Sequence, residues 1–193
     1  MTMILGYDWP RLHAAVNDLP PALLPISVLF DLLGIAFKRE SLKAAAFWTL
    51  LAGVVGTGAA IVAGLMAEDV VQHSEQAHDI MESHETLAFT VLAIFGILAI
   101  WRIVRRGVWS EKEQPIALTA GVIGVLILLY TARLGGKLMF DHAVGISTVR
   151  LQQIPAERLG HEHDEDSGMP AMSAPGTADT SHAHPGSPDT TKH

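Results

Sequence analysis

The 193-residue sequence contains no cysteine. This absence excludes disulfides, thiolate metal sites, iron–sulfur clusters, covalently attached haem and a cysteine nucleophile. Any metal would therefore be bound by histidine, methionine or carboxylate side chains. Basic residues are also few, with 13 Lys and Arg against 20 Asp and Glu and a formal net charge of -7. Because phosphate binding needs a cationic surface, we expect no nucleic-acid partner.

Charged residues of both signs are scarce, at 17% of the chain against 49% hydrophobic residues. An ordinary soluble domain carries roughly a quarter charged residues. Runs such as 59–63 and 122–129 are apolar all round and have no polar face for water. The sequence predicts an all-α, four-helix transmembrane bundle over residues 20–146, after an N-terminal segment of residues 1–19. The predicted spans are residues 20–37, 44–67, 86–104 and 115–140, each long enough for a hydrocarbon core that needs roughly 20 residues.

Residues 147–193 have a different composition, rich in histidine, aspartate and proline. Half of the ten histidines and half of the ten prolines follow residue 154. Such a segment cannot bury enough apolar surface to offset the entropy of ordering it, so the sequence predicts a disordered tail. The tail also carries imidazole and thioether donors suited to copper, and imidazoles with carboxylates suited to zinc. These candidate metal ligands are His161, His163, Met169, Met172, His182 and His184.

The orientation of the spans is predicted from the short connections. The connection of residues 68–83 contains no Lys or Arg. Because basic connections stay in the cytoplasm, we expect a bacterial inner-membrane protein with both termini in the periplasm. Residues 1–17 do not resemble a cleavable signal peptide, so the first span would insert the chain. The basic residues assigned to the other two connections are Lys38, Arg39, Lys43, Arg102, Arg105, Arg106 and Lys112.

That orientation places histidines of separate spans at one membrane boundary. His13 precedes the first span, His84 opens the third and His142 closes the fourth. Haem iron accepts imidazoles from facing helices, so the pattern predicts a noncovalent haem b with axial ligands drawn from these three. The histidines of the connection, His73 and His78, are weaker candidates.

Two charged residues lie within or near the apolar spans, where an ionisable group is costly. For Arg133 we expect contacts with the carboxylates of the same boundary, or snorkelling of its charged end, or a contact with a haem propionate or other anion. Asp31 and Arg133 lie too far apart in depth to pair. Asp31 is expected to bond a Ser, Thr or Trp, or to be neutral.

Four motifs carry a resemblance to a known family. Residues 12–20 resemble the pattern L-H-P-x-x-V-H-F-P, with His13 at the first histidine and Asp18 in place of the second. Residues 30–34 resemble F-D-L-x-G, residues 84–88 resemble H-x-x-L-A, and residues 135–146 resemble G-G-x-L-x-x-x-H-G-V-G-V. Two further departures are Ala14 for proline and Ala143 for glycine. The sequence thus resembles a bacterial four-helix integral membrane family, domain of unknown function 2231. The resemblance implies fold and membrane placement over about residues 12–146, and no activity.

Three functions follow as hypotheses. The first is a haem-binding redox or electron-transfer protein, the second a copper- or zinc-binding membrane protein, and the third a non-catalytic accessory subunit of a membrane complex. The expected partners are the lipid bilayer and a redox partner, a larger complex or a second copy of the chain. The sequence shows no nucleophile–base arrangement, phosphate loop, H-E-x-x-H motif or convincing inverted repeat, so we expect no enzyme and no transporter.

Overall fold

A computed structural model of the chain describes residues 7–71 and 74–146. The predicted tail with its six candidate metal ligands, and His73, lie outside these residues. The described part contains five α-helices, and the all-α prediction is confirmed. They are α1 (Trp9–Val16), α2 (Leu19–Ala36), α3 (Glu40–Glu68), α4 (Glu75–Val104) and α5 (Gln114–Phe140).

The short helix α1 lies in the segment that was predicted only as an N-terminal extension. The Asp8 side chain caps it by accepting a hydrogen bond of 3.1 Å from the Arg11 amide, and Pro10 lies in its first turn. Both features favour a helix start. A turn at Asn17 and Asp18 separates α1 from α2, and α1 packs against α3.

The four long segments are all helices with the length and hydropathy needed to cross a membrane, α1 and α2 together forming the first. Two of them start well before the predicted spans. α3 begins at Glu40, and α4 begins at Glu75 after Ser74, whose hydroxyl accepts a hydrogen bond from the Ala77 amide. Polar helical turns thus extend the apolar runs beyond the lengths that hydropathy indicates. Large apolar side chains such as Val55, Ile97 and Leu126 are more than half exposed on the outer surface of the bundle, as expected for helices that face lipid.

The helices pack as a closed ring. α2 packs against α3 and α5, and α4 packs against α5 and α3. The short connections make successive helices antiparallel. The core of the ring is small, and Leu24, Val91 and Phe95 are its most deeply buried members. Close helix packing around small residues is typical of membrane bundles.

The bundle consists of two helical hairpins of similar construction. The N-terminal hairpin contains α1, α2 and α3, and the C-terminal hairpin contains α4 and α5. Ten of the twelve buried positions of α2 and α3 recur 71 residues later in the second hairpin, without a gap, and Gly34 and Gly56 are the two exceptions. The recurring pairs are Pro20/Val91, Leu24/Phe95, Ser27/Leu98, Ala46/Ala117, Leu50/Gly121, Gly53/Gly124, Thr57/Leu128, Ala60/Thr131, Ala63/Leu134 and Ala67/Leu138.

The close contacts recur with the same spacing. A Cβ atom at Gly53 would lie 2.6 Å from the Leu24 side chain, and one at Gly124 would lie 2.7 Å from the Phe95 side chain. Because both hairpins run in the same direction, they are related by a pseudo-twofold axis parallel to the helices. This repeat is parallel, which agrees with the lack of a convincing inverted repeat in the sequence. The two halves share too few identical residues for the sequence to indicate the parallel repeat.

We call one end of the bundle the histidine end; it consists of α1, residues 69–71, 74 and 141–146 and the helical turns next to them. The opposite end, with residues 37–39 and 105–113 and the adjacent helical turns, is the arginine end.

Candidate functional site

The first half of the candidate site is His13 on α1. Its Nδ1 lies 2.8 Å from the Ala60 carbonyl oxygen of α3. Because a carbonyl oxygen only accepts, Nδ1 is the protonated nitrogen and donates this bond. The imidazole lies over Gly64, where a Cβ atom would be only 3.1 Å from the ring carbon Cε1. A glycine one helical turn after the carbonyl therefore makes room for the ring.

The second half repeats this arrangement on the other hairpin. His84 Nδ1 donates to the Thr131 carbonyl oxygen of α5 at 2.9 Å. A Cβ atom at Gly135 would lie 3.1 Å from its Cε1. Each histidine lies 47 residues before its carbonyl partner. The two half-sites are therefore equivalent under the pseudo-twofold relation.

This geometry has a defined chemical consequence. With Nδ1 bonded to a backbone carbonyl, each neutral imidazole has its unshared electron pair at Nε2. Histidines that bind metals in proteins usually hold their other ring nitrogen in this way, which fixes the ring and raises its basicity. The histidine end thus holds two oriented imidazole donors.

A cavity of about 50 Å³ lies between the hairpins at the same end. Its lining includes His84 and the polar side chains of Asn17, Thr57 and Thr131, among mainly apolar residues. The volume accommodates water molecules or an ion. Cofactor pockets are commonly 300–1,000 Å³, so a porphyrin would require the surrounding side chains to move apart.

The third predicted haem ligand, His142, does not complete a three-histidine centre. It lies half-buried after α5 and makes no hydrogen bond or ion pair with the residues that the structure describes. Within residues 7–71 and 74–146, no three His, Asp or Glu side chains form a group that could hold a metal ion. The structure therefore places His13 and His84 in equivalent half-sites at the histidine end, and His142 belongs to no group of three candidate metal ligands in the described part of the chain.

The expectation of an ion pair for Arg133 is wrong for the described part of the chain. Its side chain is exposed and has no carboxylate partner there. It shares the outer surface of α5 with Leu126, Leu129 and Tyr130, each more than half exposed. An exposed arginine on an apolar helix surface matches the snorkelling interpretation. Asp18, one of the carboxylates expected at this boundary, is likewise exposed.

The expectation for Asp31 is corrected too. Asp31 accepts two hydrogen bonds from Arg102, of 2.6 Å from Nη1 and 2.8 Å from Nη2. The sequence predicts Arg102 in a basic connection. In the structure, α4 continues to Val104 and carries the Arg102 guanidinium inside the bundle. The Arg102 side chain is only 1% exposed and that of Asp31 is 19% exposed.

Four of the five N–H groups of the Arg102 guanidinium donate hydrogen bonds. Its Nη2 also donates to the Lys43 carbonyl oxygen at 2.9 Å, and its Nε donates to the Gly107 carbonyl oxygen at 3.1 Å. The rings of Trp109 and Phe47 lie 5.4 Å and 5.9 Å from Cζ, within range of cation–π attraction. A buried charge with partners on every side is retained without the penalty of an unpaired one.

The comparison with protein families follows this geometry. Residues 10–148 match the family described as "Predicted membrane protein (DUF2231)". The chain belongs to this family. Together with the four candidate spans, the match identifies it as an integral membrane protein and confirms the resemblance found from the motifs. No curated protein and no solved structure matches the chain.

The motifs that carried the resemblance to DUF2231 coincide with the structural features of both ends. His13 and His84 are the two anchored imidazoles, and Gly135 is the residue under the second ring. Asp31 of the F-D-L-x-G motif is the partner of Arg102. Ala143 stands where the family pattern has glycine and has a φ of +52°, a conformation that glycine adopts without strain. The sequence signal for these residues was correct, although it did not reveal their partners.

Proposed function

We propose that this protein binds haem b between His13 and His84 and transfers electrons within the membrane. The observation that carries the proposal is the pair of imidazoles at equivalent positions in two hairpins. In each, Nδ1 donates to a carbonyl and Nε2 has no hydrogen-bond partner among the described residues. A haem iron needs two axial ligands, one from each side, and haem sites in helical bundles are built from facing helices.

The composition of the site favours haem over zinc. Structural zinc sites have four protein ligands and catalytic ones three, and the described residues contain no group of three candidate ligands. Two histidines are a complete axial set for haem. The lining of the cavity is mainly apolar, which suits the faces of a macrocycle. Gly64 and Gly135 have no side chains that would displace the two imidazole rings.

The proposal includes a location for the site. The arginine end carries Lys38, Arg39, Lys43, Arg105, Arg106 and Lys112, whereas residues 68–83 contain neither Lys nor Arg. This distribution supports an inner-membrane protein whose histidine end and both termini face the periplasm. A periplasmic or membrane-bound redox partner would then exchange electrons at the histidine end.

One observation favours a second candidate, a site for a single copper(I) ion. The cavity of about 50 Å³ is close to the size of an ion with its waters and much smaller than a porphyrin. Imidazole is a suitable copper ligand. The predicted copper or zinc sites of the tail, outside the described residues, would then deliver or store the same metal.

Absorption spectroscopy and metal analysis of the full-length protein, purified in mild detergent, test both candidates. For haem we expect a split absorption band on reduction, lost in His13→Ala and in His84→Ala but retained in the matched control His142→Ala. For copper we expect about one bound equivalent in the chain truncated before Pro155, with the same dependence on His13 and His84. Truncation before Pro155 measures what the tail binds.

A colourless, metal-free wild-type protein would contradict both candidates and leave the accessory-subunit hypothesis. Equal loss of the chromophore in all three variants would contradict the assignment of the two ligands.

A further inference from the structure

The arginine end contains a position inside the bundle where the two hairpins are equivalent in place and opposite in charge. Asp31 and Arg102 are separated by 71 residues, the repeat distance of the buried positions. Each residue therefore stands at the same place in its own hairpin. Their side chains meet between the hairpins, within hydrogen-bond distance at 2.6 Å and 2.8 Å.

We propose that this contact selects the partner of each hairpin. The inner surface of the N-terminal hairpin fits the C-terminal hairpin and rejects a second copy of itself, and the reverse holds for the C-terminal hairpin. This inference does not depend on any ligand at the histidine end.

The apolar parts of the two inner surfaces provide little basis for such a choice. They are buried at matching positions, as in Leu24 and Phe95 or Ala46 and Ala117. In a membrane, lipid tails are as apolar as the side chains, so helix association depends on packing and polar contacts. Two N-terminal hairpins would therefore meet at positions of the same apolar character and differ from the native pair mainly in side-chain size, as where Leu50 would replace Gly121 beside Val28.

Charge distinguishes the two arrangements. Pairing of two N-terminal hairpins would bring Asp31 against Asp31 of the second copy, and pairing of two C-terminal hairpins would bring the two Arg102 side chains together. A buried pair of like charges is strongly unfavourable. Specificity of this kind comes from rejecting the wrong partner as well as from binding the right one. A single buried polar contact that fixes register and partner is the best-attested role of such groups.

The cysteine-free chain allows hairpin pairing to be measured by disulfide trapping. A Cβ atom at Gly121 would lie 4.0 Å from the Val28 Cβ, within the usual range for disulfides. Val28→Cys/Gly121→Cys therefore reports the native pairing as a bond within one chain. Because Leu50 is the equivalent of Gly121, pairing of two N-terminal hairpins would bring position 28 of one copy against position 50 of the other. Val28→Cys/Leu50→Cys thus reports like-with-like pairing as a covalent dimer.

Each of the two cysteine pairs is introduced into three versions of the full-length protein, which differ only in the residues at positions 31 and 102. With the native pair we expect efficient bonding within the chain and no covalent dimer. With Asp31→Asn/Arg102→Gln we expect a severalfold increase in covalent dimer at the expense of the bond within the chain. With the exchanged pair Asp31→Arg/Arg102→Asp, opposite charges still meet, so we expect the native pattern to return in large part.

Two outcomes would overturn the proposal. The first is an unchanged native pattern in the neutral variant, which would show that packing alone selects the partner. The second is an exchanged variant that behaves like the neutral one or loses the native bond without forming dimers. In that case the contact would serve Arg102 and its surroundings and not the choice of partner.

Discussion

The two hairpins are nearly equivalent at the histidine end and differ at the arginine end. At the arginine end, residues 37–39 connect α2 to α3, whereas residues 105–113 connect α4 to α5. The equivalent positions of α2 and α4 and those of α3 and α5 are separated by the same number of residues. The two hairpins therefore have the same length around these connections, but fewer residues of the second are helical there. Arg106 and Gly107, with φ values of +58° and +85°, end α4, and Pro115 lies in the first turn of α5.

This unwinding has a structural result. It allows Trp109 to fold back into the bundle, where it is 7% exposed and lies 5.4 Å from the Arg102 guanidinium. Its equivalent in the first hairpin is the exposed Lys38 in a tight turn. The two hairpins thus differ where the Arg102 guanidinium is covered, and they are alike where each holds an imidazole against a backbone carbonyl.

The largest expected effect comes from breaking the asymmetric end. Replacing Arg102 by methionine leaves Asp31 without its charged partner in the bundle, and we expect a loss of about 3–5 kcal/mol in the free energy of unfolding. Unfolding of the purified protein in detergent measures it. Arg105→Met is the matched control, since Arg105 is largely exposed and its pair with Glu113 is worth little. A loss for Arg102→Met no larger than that of the control would contradict the role of the buried pair.

The next effect tests the equivalence of the histidine end. Gly64→Ala and Gly135→Ala each place a Cβ atom 3.1 Å from an imidazole carbon, which should push the ring from its carbonyl. We expect each to reduce stability by about 1 kcal/mol, the value of one hydrogen bond, and to weaken ligand binding equally.

Gly58→Ala and Gly136→Ala are the controls, because a Cβ atom there contacts nothing within 4 Å. Clearly unequal effects of the two test variants would show that the half-sites are not equivalent.

A stabilising substitution is expected at the end of the second hairpin. Ala143 has a φ of +52°, and the left-handed conformation costs a residue with a Cβ atom roughly 1–2 kcal/mol. Because glycine has no such penalty, Ala143→Gly should raise the free energy of unfolding by up to about 1 kcal/mol after its greater entropy loss. Thermal unfolding beside wild type measures the change, and a decrease in stability would contradict the strained backbone.

The smallest effect concerns the longer connection of the second hairpin. Hydrogen bonds from Ser110, aided by Arg105, hold the pKa of Glu113 below its ordinary value. A lowered pKa stabilises the fold above the ordinary carboxyl range, and this contribution is lost as the pH falls through the pKa of the folded state.

Glu113→Gln should therefore lower the melting temperature slightly at pH 7 and not at pH 3. A difference that persists at acidic pH would rule out this origin.

Much of the fold could be predicted from the sequence. Apolar runs longer than a bilayer thickness identified all four spans, because a membrane leaves few alternatives for the backbone. The helix α1 was missed since eight residues carry little periodicity, although Asp8 and Pro10 mark its start. The repeat was missed because burial and close contact recur between the halves while residue identity mostly does not.

The candidate site was predicted only in part. His13 and His84 were predicted to lie at one depth, a property of sequence position, and the structure places both at the histidine end. That they bind a ligand stays a prediction. Their Ala60 and Thr131 carbonyl partners belong to every helix backbone, so only packing reveals them. Arg102 was assigned to a connection because hydropathy places a charge outside the membrane, whereas the fold supplied it with a buried carboxylate.

The anchoring of each imidazole within its own hairpin has a consequence for assembly. During synthesis the first hairpin is inserted before the second exists, and His13 already has its carbonyl acceptor on α3. His84 likewise acquires its acceptor as soon as α5 packs on α4. Each imidazole is thus oriented before the two hairpins pack against each other. A ligand that binds both imidazoles would therefore stabilise the bundle only after the two hairpins have packed.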